Sequence, residues 1–254
     1  MQVGIDLGGT KIEAAVLDDR GAFRFRERCP TPQGNYPGTL ESIRVLIERA
    51  ESELGESCTR VGIGHPGSTN PLDGRIRNAN STCLNGQTLH HDLEVILRRP
   101  VRLANDADCL TLSEATDGIA RDCTSVFGVI LGTGVGGGWV IHGQLLQGPN
   151  GLAGEWGHNP LPAASPMELP GPACYCGKQG CIEAWLSGPA LIADYRRASG
   201  NRTISGVPEL VTAAAHDDIA AAEALSRHTQ RLARALAVII NACDPDAIVL
   251  GGGV

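Results

Sequence analysis

The sequence predicts an α/β protein whose two halves open in the same way. Each half begins with two strand-like runs joined by a glycine turn: VGIDL and IEAAVLD at the N-terminus, then SVFGVIL, GTGVGGG and WVIHG from Ser125. Apolar runs of this length, bounded by glycine, are typical of strands. A chain of 254 residues can bury a substantial core in one large domain or two modest ones. We predict an N-terminal α/β domain of residues 1–118 and a C-terminal α/β domain of residues 119–254.

The remaining elements follow in chain order. AFRFRER alternates apolar and charged residues with period two, so we expect three antiparallel strands at the start. From Thr39 the apolar residues recur at helical spacing, and Gly55 is a stop signal. RVGIGHPG indicates a buried strand, VRLAN another strand, and DADCLTLSEATDG a helix that starts where that strand ends. In the second half, the apolar spacing from Ile219 to Ile240 predicts a long helix before a last strand, AIVLGGG.

Composition argues against several classes of partner. Lys and Arg number 21 against 28 Asp and Glu, a net charge of −7 without a basic run, so we expect no nucleic-acid partner. The N-terminus reaches Asp6 too early for the core of a signal peptide, and no apolar run approaches the length of a membrane span. Of nine cysteines, six are scattered, which is typical of thiols in a reducing compartment. We therefore expect a cytoplasmic protein without a membrane partner.

The glycine turns are candidate phosphate sites. Gly132, Gly134 and Gly137 have dinucleotide-fingerprint spacing, but that motif needs a following helix, whereas WVIHG looks like a strand. No P-loop motif is present. Two glycine-rich hairpin tips remain, DLGGTK and LGTGVGGG, whose backbone N–H groups can approach an anion closely. We predict that they cradle a polyphosphate, with a third glycine cluster after the last strand; an ordinary tight hairpin is the alternative for either tip alone.

Four residues have the spacing of a metal site, H-x15-C-x-C-x4-C: His158, Cys174, Cys176 and Cys181. Three thiolates and one imidazole form a closed tetrahedral set, which is typical of structural Zn²⁺. A catalytic zinc would need an open position for water, which four protein ligands do not leave. We therefore predict a structural zinc site.

Asp106 is the candidate catalytic carboxylate. It lies between the strand VRLAN and the following helix, a place where open α/β sheets present functional side chains. A carboxylate at this boundary can also simply cap the helix. The position alone leaves both roles open.

Several separated motifs together resemble a known family. DLGGTK, ANDAD, GEWGH, CYCGKQGCIE and IVLGGG, in this order, resemble the ROK family of bacterial sugar kinases, within the actin-like ATPase (ribonuclease H-like) fold. NANSTCLNGQ, GEWGHNPLP and CYCGKQGCIE are similar to its fructokinase and mannokinase branch. The resemblance implies two α/β domains with an interdomain sugar cleft, ATP and Mg²⁺, and a homodimer. It implies phosphorylation of a hexose, D-fructose to fructose 6-phosphate first, with mannose or glucose as other substrates.

The resemblance also implies residue roles. Asp106 would be the general base, and His158 would use one ring nitrogen for zinc and the other for the sugar. Asp6 would lie near Mg²⁺, and Lys11 would be a phosphate partner. The sugar-binding residues would be Gly67, Ser68, Asn105, Glu155, His158 and Glu183. The ATP- and phosphate-binding residues would be Asp6, Gly8, Gly9, Thr10, Lys11, Gly132, Thr133, Gly134, Gly251, Gly252 and Gly253.

Alternatives and departures from the family pattern remain. An N-acetylglucosamine or N-acetylmannosamine kinase would share the zinc ligands and the base, and a catalytically silent sugar-sensing protein is an alternative of another class. Sensing repressors carry a helix-turn-helix before DLGGT, for which we expect no room here. His65 stands where an apolar residue is expected, and Asp108 where the branch has Asn. The chain ends at Val254, where the family continues, so we expect a truncated C-terminal domain with low stability and weak ATP binding.

Overall fold

The structure is a computed structural model that describes residues 1–18 and 20–254. Its contacts divide the chain into two compact units. Unit 1 comprises Met1–Cys109 and Gln147–Leu152, and unit 2 comprises Leu110–Leu146 and Ala153–Val254. These units are defined by contacts alone, and the domain boundary at residue 118 stays a prediction.

Unit 1 is built around a mixed sheet with the strand order β3-β2-β1-β4-β7. β1 pairs antiparallel with β2, and β2 with β3, which confirms the three antiparallel strands at the start of the chain. β1, β4 and β7 are parallel. The elements, with a last helix that continues into unit 2, are β1 Gln2–Leu7, β2 Lys11–Leu17, β3 Phe23–Pro30, α1 Tyr36–Leu54, β4 Arg60–His65, β5 Ser68–Thr69, β6 Ile76–Arg77, α2 Leu89–Leu97, β7 Val101–Asn105 and α3 Asp106–Thr116.

Helix α1 forms where its spacing predicts it and covers one face of this sheet. Asn35 caps its N-terminus by accepting a hydrogen bond from the backbone N–H of Gly38, and Gly55 ends it in the left-handed region at φ 67°. Ile43 and Leu46 pack into the same apolar core as Ile5 of β1. The strand predicted from RVGIGHPG forms as β4, and buried and more exposed residues alternate along it, so one of its faces is buried.

Unit 2 contains a sheet with the order β10-β9-β8-β11, in which β8 and β9 form a hairpin and β11 lies parallel to β8. Its further elements are β8 Ser125–Leu131, β9 Val135–Ile141, β10 Gln144–Leu145, α4 Ile182–Leu186, α5 Gly188–Ser199, α6 Val207–Ala215, α7 Ile219–Cys243 and β11 Ala247–Gly252. The long helix and the last strand confirm the prediction for the end of the chain. Helices α2, α4, α5 and α6 were not predicted from the sequence.

The core of unit 2 explains where its site segments lie. Phe127 packs against Trp139, with ring centroids 4.7 Å apart, and edge-on against Trp156 at 5.6 Å. Trp156 belongs to the GEWGH segment, so this aromatic cluster anchors that segment on the sheet. Within residues 1–18 and 20–254, no helix is both long enough and apolar enough to cross a bilayer.

Candidate active site

The carboxyl ends of three parallel strands in unit 1 bring Asp6 and Asp106 together. Asp6 near the end of β1 is in register with Gly64 of β4, and Gly64 is in register with Ala104 of β7. Asp106 is the first residue of α3, directly after β7. A Cβ on Gly64 would lie 3.3 Å from Sγ of Cys109 and 3.9 Å from Cα of Asp106, so the absence of a side chain there leaves room for the start of α3.

Asp106 has the electrostatics of a general base. Burial is the main cause that raises its pKa to about 6, and the charge of Asp6 adds to the rise. The backbone N–H of Ala107 donates to its carboxylate at 2.8 Å and opposes the rise. At neutral pH the carboxylate is ionised in about nine-tenths of molecules, while its proton affinity is higher than that of an ordinary aspartate.

Asn105 connects this carboxylate to the predicted sugar loop. Its Oδ1 also accepts from the N–H of Ala107 at 2.8 Å, and its Nδ2 donates to the carbonyl of Gly67 at 2.8 Å. Gly67 has φ 77°, and a Cβ there would lie 2.5 Å from the carbonyl oxygen of Arg77, so only glycine fits. Ser68 is buried, and its Oγ accepts from Nε of Arg77 at 3.2 Å. The structure therefore joins Asn105 to Gly67 by a hydrogen bond and places Ser68 beside Gly67, bonded to Arg77, which sequence reasoning missed.

His65 is a buried neutral histidine at the end of β4. Its Nδ1–H donates to the carbonyl of Pro66 at 3.0 Å, and burial lowers its pKa. It is only 1% exposed. The residue lies on the same buried face of the strand as Val61 and Ile63, at a position where the sequence had suggested an apolar residue.

Hydrogen bonds within the turn and from Thr31 fix the first glycine hairpin, between β1 and β2. The N–H of Gly8 donates to the carbonyl of Lys11 at 3.0 Å, and Oγ1 of Thr31 donates to the carbonyl of Gly8 at 2.7 Å. Desolvation is the main cause that raises the pKa of Asp6, followed by the charge of Glu13, while Lys11 opposes both. The N–H of Gly8 is therefore engaged within the turn, and phosphate binding by this tip stays a prediction.

The second glycine hairpin, between β8 and β9, is held by residues of two helices. The N–H of Gly132 donates to the carbonyl of Gly134 at 2.9 Å, and the N–H of Gly188 at the start of α5 donates to the carbonyl of Gly132 at 2.8 Å. Oε2 of Glu183 in α4 accepts from the N–H of Val135 at 2.9 Å. Glu183, predicted from the resemblance as a sugar contact, thus also fixes the turn that contains Gly132, Thr133 and Gly134.

The glycines after that turn have a role that the sequence did not reveal. Gly136 to Gly138 lie inside β9, whereas the sequence had suggested a turn through these residues. A Cβ on Gly137 would lie 2.8 Å from the carbonyl oxygen of Gly154, and a Cβ on Gly157 would lie 2.2 Å from that of Val135. Because Gly137 and Gly157 have no side chains, the segment that carries Glu155 and His158 packs directly against the backbone of β9.

The four predicted metal ligands meet at one point. The ligand atoms of His158, Cys174, Cys176 and Cys181 all lie within 4.8 Å of one another. Sγ of Cys176 is 3.6 Å from Sγ of Cys181, and Sγ of Cys174 is 3.5 Å from Nδ1 of His158. A tetrahedral zinc site keeps neighbouring ligand atoms roughly 3.3–3.8 Å apart, so the donor types and these two distances fit zinc. Nδ1 of His158 is the nitrogen that faces the thiols.

Tyr175, which sequence reasoning missed, contacts the other nitrogen of this histidine. Its Oη lies 3.1 Å from Nε2 of His158. Burial is the main cause that raises the pKa of Tyr175, and the charge of Glu183, a hydrogen bond to it and the charge of Glu155 add to the rise. Tyr175 therefore belongs to the group that contains Glu155, His158 and Glu183. The only signal in the sequence was an aromatic residue between two ligand cysteines.

A buried ionic network anchors the loop before the cysteines. The Glu168 carboxylate accepts from Nε of Arg231 at 2.9 Å and from a terminal nitrogen of Arg234 at 2.8 Å, both on α7. The guanidinium of Arg231 also lies 4.2 Å from the ring centre of Trp185. These hydrogen bonds hold the pKa of Glu168 well below its usual range.

The third glycine cluster lies partly within the last strand rather than after it. Gly251 and Gly252 belong to β11 and are in register with Ile130 and Leu131 of β8. Gly252 has φ 112°, and a Cβ there would lie 2.0 Å from the carbonyl oxygen of Leu131. Close packing of the two strands requires this glycine, and contact of Gly251, Gly252 and Gly253 with adenosine stays a prediction.

Comparison with known proteins decides the family. A family model described as "ROK family" matches residues 2–254. The chain belongs to the ROK family. It is similar to a ROK family glucokinase from Streptomyces griseus in complex with glucose and AMPPNP, with 28% identity and a TM-score of 0.83 over 99% of this chain and 83% of that one. The actin-like ATPase fold predicted from the ROK motifs is confirmed.

Two curated relatives bear on the identity of the substrate. The N-acetylgalactosamine kinase AgaK from Shewanella sp. (strain ANA-3) is 39% identical over 100% of this chain and 82% of its own length. An N-acetyl-D-glucosamine kinase from Yersinia pseudotuberculosis is 38% identical over 100% of this chain and 84% of its own length. The predicted resemblance to the fructokinase and mannokinase branch is not confirmed by these relatives, whose names correspond to the alternative of an N-acetylated aminosugar kinase.

Proposed function

We propose that this chain is an ATP-dependent kinase whose acceptor is an N-acetylated hexosamine. The observation that carries the proposal is the match, over all of the chain, to two kinases that are named for N-acetylgalactosamine and N-acetyl-D-glucosamine. This support favours an N-acetylhexosamine over D-fructose, which the sequence motifs alone had suggested.

Asp106 would carry the chemical step. Its carboxylate would accept the proton of one sugar hydroxyl as that oxygen attacks the γ-phosphorus of ATP, and the bond from the γ-phosphorus to the bridging oxygen would break to release ADP. The raised pKa supports this role because a base with higher proton affinity removes a hydroxyl proton more readily. Phosphoryl transfer needs positioning and charge stabilisation rather than covalent chemistry by the protein, so one carboxylate and a phosphate cradle suffice.

Asp6 would lie near Mg²⁺ and its bound waters. A carboxylate near the end of β1 is the hard oxygen donor that Mg²⁺ prefers, directly or through its waters. Bound Mg²⁺ supplies neutralisation of the charge on the phosphate oxygens of ATP. Lys11 and the two glycine tips would contact the phosphates, and Gly251, Gly252 and Gly253 the adenosine.

Zinc would act as a scaffold. His158 and the three cysteines would bind it, and a closed ligand set leaves no position for a substrate on the metal. The sugar contacts would be Gly67, Ser68 and Asn105 in unit 1, and Glu155, His158 and Glu183 in unit 2. We also keep the prediction of a homodimer, which light scattering checks.

The test is an ADP-release assay with ATP and Mg²⁺ on six sugars: N-acetylglucosamine, N-acetylgalactosamine, N-acetylmannosamine, glucose, mannose and fructose. We expect the highest kcat/KM with one of the three N-acetylated sugars. A higher kcat/KM with fructose would restore the fructokinase interpretation. Sugar binding without turnover of any sugar would instead identify a catalytically silent sensor.

A further inference from the structure

His228 is a buried histidine of α7 with no part in the proposed chemical step. Its exposure is only 7%, and burial is the main cause that lowers its pKa, so the imidazole is uncharged at neutral pH. Its Nε2 lies 3.0 Å from the carbonyl oxygen of Leu186, a residue that is itself fully buried. Because a carbonyl oxygen only accepts, the ring proton resides on Nε2, and Nε2–H donates to Leu186.

The carbonyl of Leu186 needs this donor because it lies where two helices meet. A helix leaves its last carbonyls without partners inside the helix. Leu186 is the last residue of α4, and Ser187 is the N-cap of α5, where its Oγ accepts from the N–H of Ala190 at 3.3 Å. We call residues 186–188 the α4–α5 corner. A buried carbonyl without a partner at this corner would destabilise it, and His228 supplies that partner.

The α4–α5 corner holds one end of the second glycine turn, which contains residues 132–134. The N–H of Gly188 donates to the carbonyl of Gly132 at 2.8 Å, and a Cβ on Gly188 would lie 3.3 Å from that same oxygen. The other end of the turn is held by Glu183 of α4, whose Oε2 accepts from the N–H of Val135 at 2.9 Å. The position of the turn therefore depends on the place where α4 and α5 meet.

Helix α7 contacts this part of unit 2 in two ways. The guanidinium of Arg231 lies 4.2 Å from the ring centre of Trp185, the residue before Leu186. A cation is attracted anywhere over the ring face within about 6 Å, whereas a hydrogen bond weakens steeply when its angle changes. The bond from His228 therefore fixes the backbone of the corner more closely than the contact of Arg231 does. Hydrogen bonds thus connect α7, through the corner, to Gly132.

These bonds leave the turn free to bind an anion. They use the carbonyl of Gly132 and the N–H of Val135, and they do not use the backbone N–H groups of Thr133 and Gly134. Backbone N–H groups of a glycine-rich turn are suited to phosphate oxygens. The contacts that fix the turn and the groups predicted to bind phosphate are therefore different.

We propose that His228 is a positioning residue for the phosphates of the nucleotide. Its imidazole fixes the α4–α5 corner, and the corner fixes the turn of residues 132–134. A turn that is already ordered loses less conformational entropy when its backbone binds phosphate oxygens, so His228 tightens nucleotide binding. This role rests on the proposed function for the ligand of the turn; the hold of His228 on the corner does not.

The test compares three variants of the full chain. His228→Leu keeps a similar volume without a donor, and His228→Gln places an amide N–H close to the position of Nε2. Tyr195→Phe is the matched control, because it removes a buried hydroxyl of α5, seven positions after Gly188, that donates to Asp218 at 2.9 Å. Three quantities are measured: the Kd of ADP with Mg²⁺ by calorimetry, the melting temperature, and the exchange rate of the Gly188 amide proton by NMR.

For His228→Leu we expect a Gly188 amide proton that exchanges at least about tenfold faster and a Kd of ADP that rises about tenfold, the loss of one hydrogen bond. His228→Gln keeps both values within about twofold of the wild type because it keeps a donor. Tyr195→Phe lowers the melting temperature as His228→Leu does, but it changes neither the Kd nor the exchange rate. Should His228→Leu not fold, His228→Asn takes its place, because its shorter side chain leaves the carbonyl of Leu186 without a donor.

Three outcomes overturn the positioning role. The first is an unchanged Kd of ADP, or an unchanged Gly188 exchange rate, in His228→Leu. The second is an equal Kd in His228→Leu and His228→Gln, since the donor would then not matter. The third is an equal rise of the Kd in Tyr195→Phe, which would trace weaker binding to lower stability. A wild type that binds neither ADP nor ATP overturns the proposed function instead, and the Gly188 exchange rate then decides whether His228 holds the corner.

Discussion

The carboxylate of Glu183 accepts a hydrogen bond from the backbone N–H of Val135 at 2.9 Å, so one residue of helix α4 fixes the turn of the β8–β9 hairpin. That turn contains Gly132, Thr133 and Gly134, which are predicted to contact the phosphates of ATP. Glu183 follows the ligand Cys181 by two positions. A side chain predicted to bind sugar therefore also fixes the geometry of a loop predicted to bind phosphate.

The first prediction concerns this double role. Glu183→Ala leaves the N–H of Val135 without its acceptor, so we expect KM for ATP to rise about tenfold, together with a loss of sugar affinity. Glu183→Gln keeps an oxygen that accepts from Val135, so its KM for ATP stays near the wild-type value while sugar affinity falls. Steady-state kinetics with each substrate varied in turn checks this. Equal KM values for ATP in the two variants would show that the hydrogen bond does not shape the loop.

The second prediction concerns the base. Asp106→Asn keeps an oxygen for the N–H of Ala107 but cannot accept the proton, so kcat falls about 10²–10⁴-fold while sugar Kd changes little. In the wild type, kcat/KM declines below pH of about 6 as the carboxylate becomes protonated. Asp122→Asn, at a position with a 93% exposed side chain, is the matched control and keeps full activity. A collapse of sugar affinity with normal residual turnover would place the base elsewhere.

The third prediction is that Asp106→Asn stabilises the protein. The folded pKa of about 6 lies above the unfolded value of 3.8, so the ionised carboxylate destabilises the fold above pH 6, and this penalty disappears as pH falls towards 4. A pKa unit corresponds to about 1.4 kcal/mol, so the gain at pH 8 is at most about 3 kcal/mol, and less because Asp106 is only partly buried. Melting curves of both proteins at pH 4 and pH 8 measure it. A stabilisation that is larger at pH 4 would contradict the sign.

The fourth prediction concerns the metal. Wild-type protein contains about one zinc per chain, and Cys176→Ser lowers zinc content and melting temperature and weakens sugar binding because His158 loses its fixed orientation. Cys243→Ser is the control, since Cys243 is exposed and lies outside the cluster. Metal analysis and thermal melts measure the effect. Zinc-free wild-type protein with normal sugar affinity would refute the scaffold role.

The fifth prediction concerns the buried ionic network. Glu168→Ala leaves the guanidinium of Arg231, whose side chain is only 7% exposed, without one of its carboxylate partners, and the free energy of unfolding falls by about 3 kcal/mol. Glu223→Ala removes a carboxylate 3.9 Å from Arg227 whose side chain is 66% exposed, and costs less than about 1 kcal/mol. Urea unfolding distinguishes them. Equal losses in the two variants would mean that the network adds no stability.

The sequence predicted those features that depend on local spacing. The four predicted metal ligands lie within a short segment, so their spacing alone indicated one cluster, whereas the place of Asp106 between a strand and a helix made it only a candidate and the family resemblance supplied its predicted role. Local patterns also predicted α1 and α7, because their apolar residues recur with the helical period.

What the sequence did not reveal depends on partners far along the chain. Glu168 meets Arg231 and Arg234 across more than sixty positions, and no local pattern connects them. Gly137 looked like part of a turn because glycine is typical of turns, whereas close approach of Gly154 is what excludes a side chain there. Tyr175 was not predicted as a functional residue, because nothing in the local sequence indicates that its hydroxyl contacts Nε2 of His158.

The loop between His158 and Cys174 is attached by more than the predicted metal ligands: the N–H of Leu161 donates to the carbonyl of Gly180 at 2.9 Å, and Glu168 pairs with two arginines of α7. Loss of a bound metal would release only the ligand residues. Residues 174–181 would then open in a local unfolding event, while residues 165–169 keep their amide protection against hydrogen exchange. If zinc binds here as predicted, its loss would disorder His158, a predicted sugar contact, in molecules whose sheet and α7 stay folded.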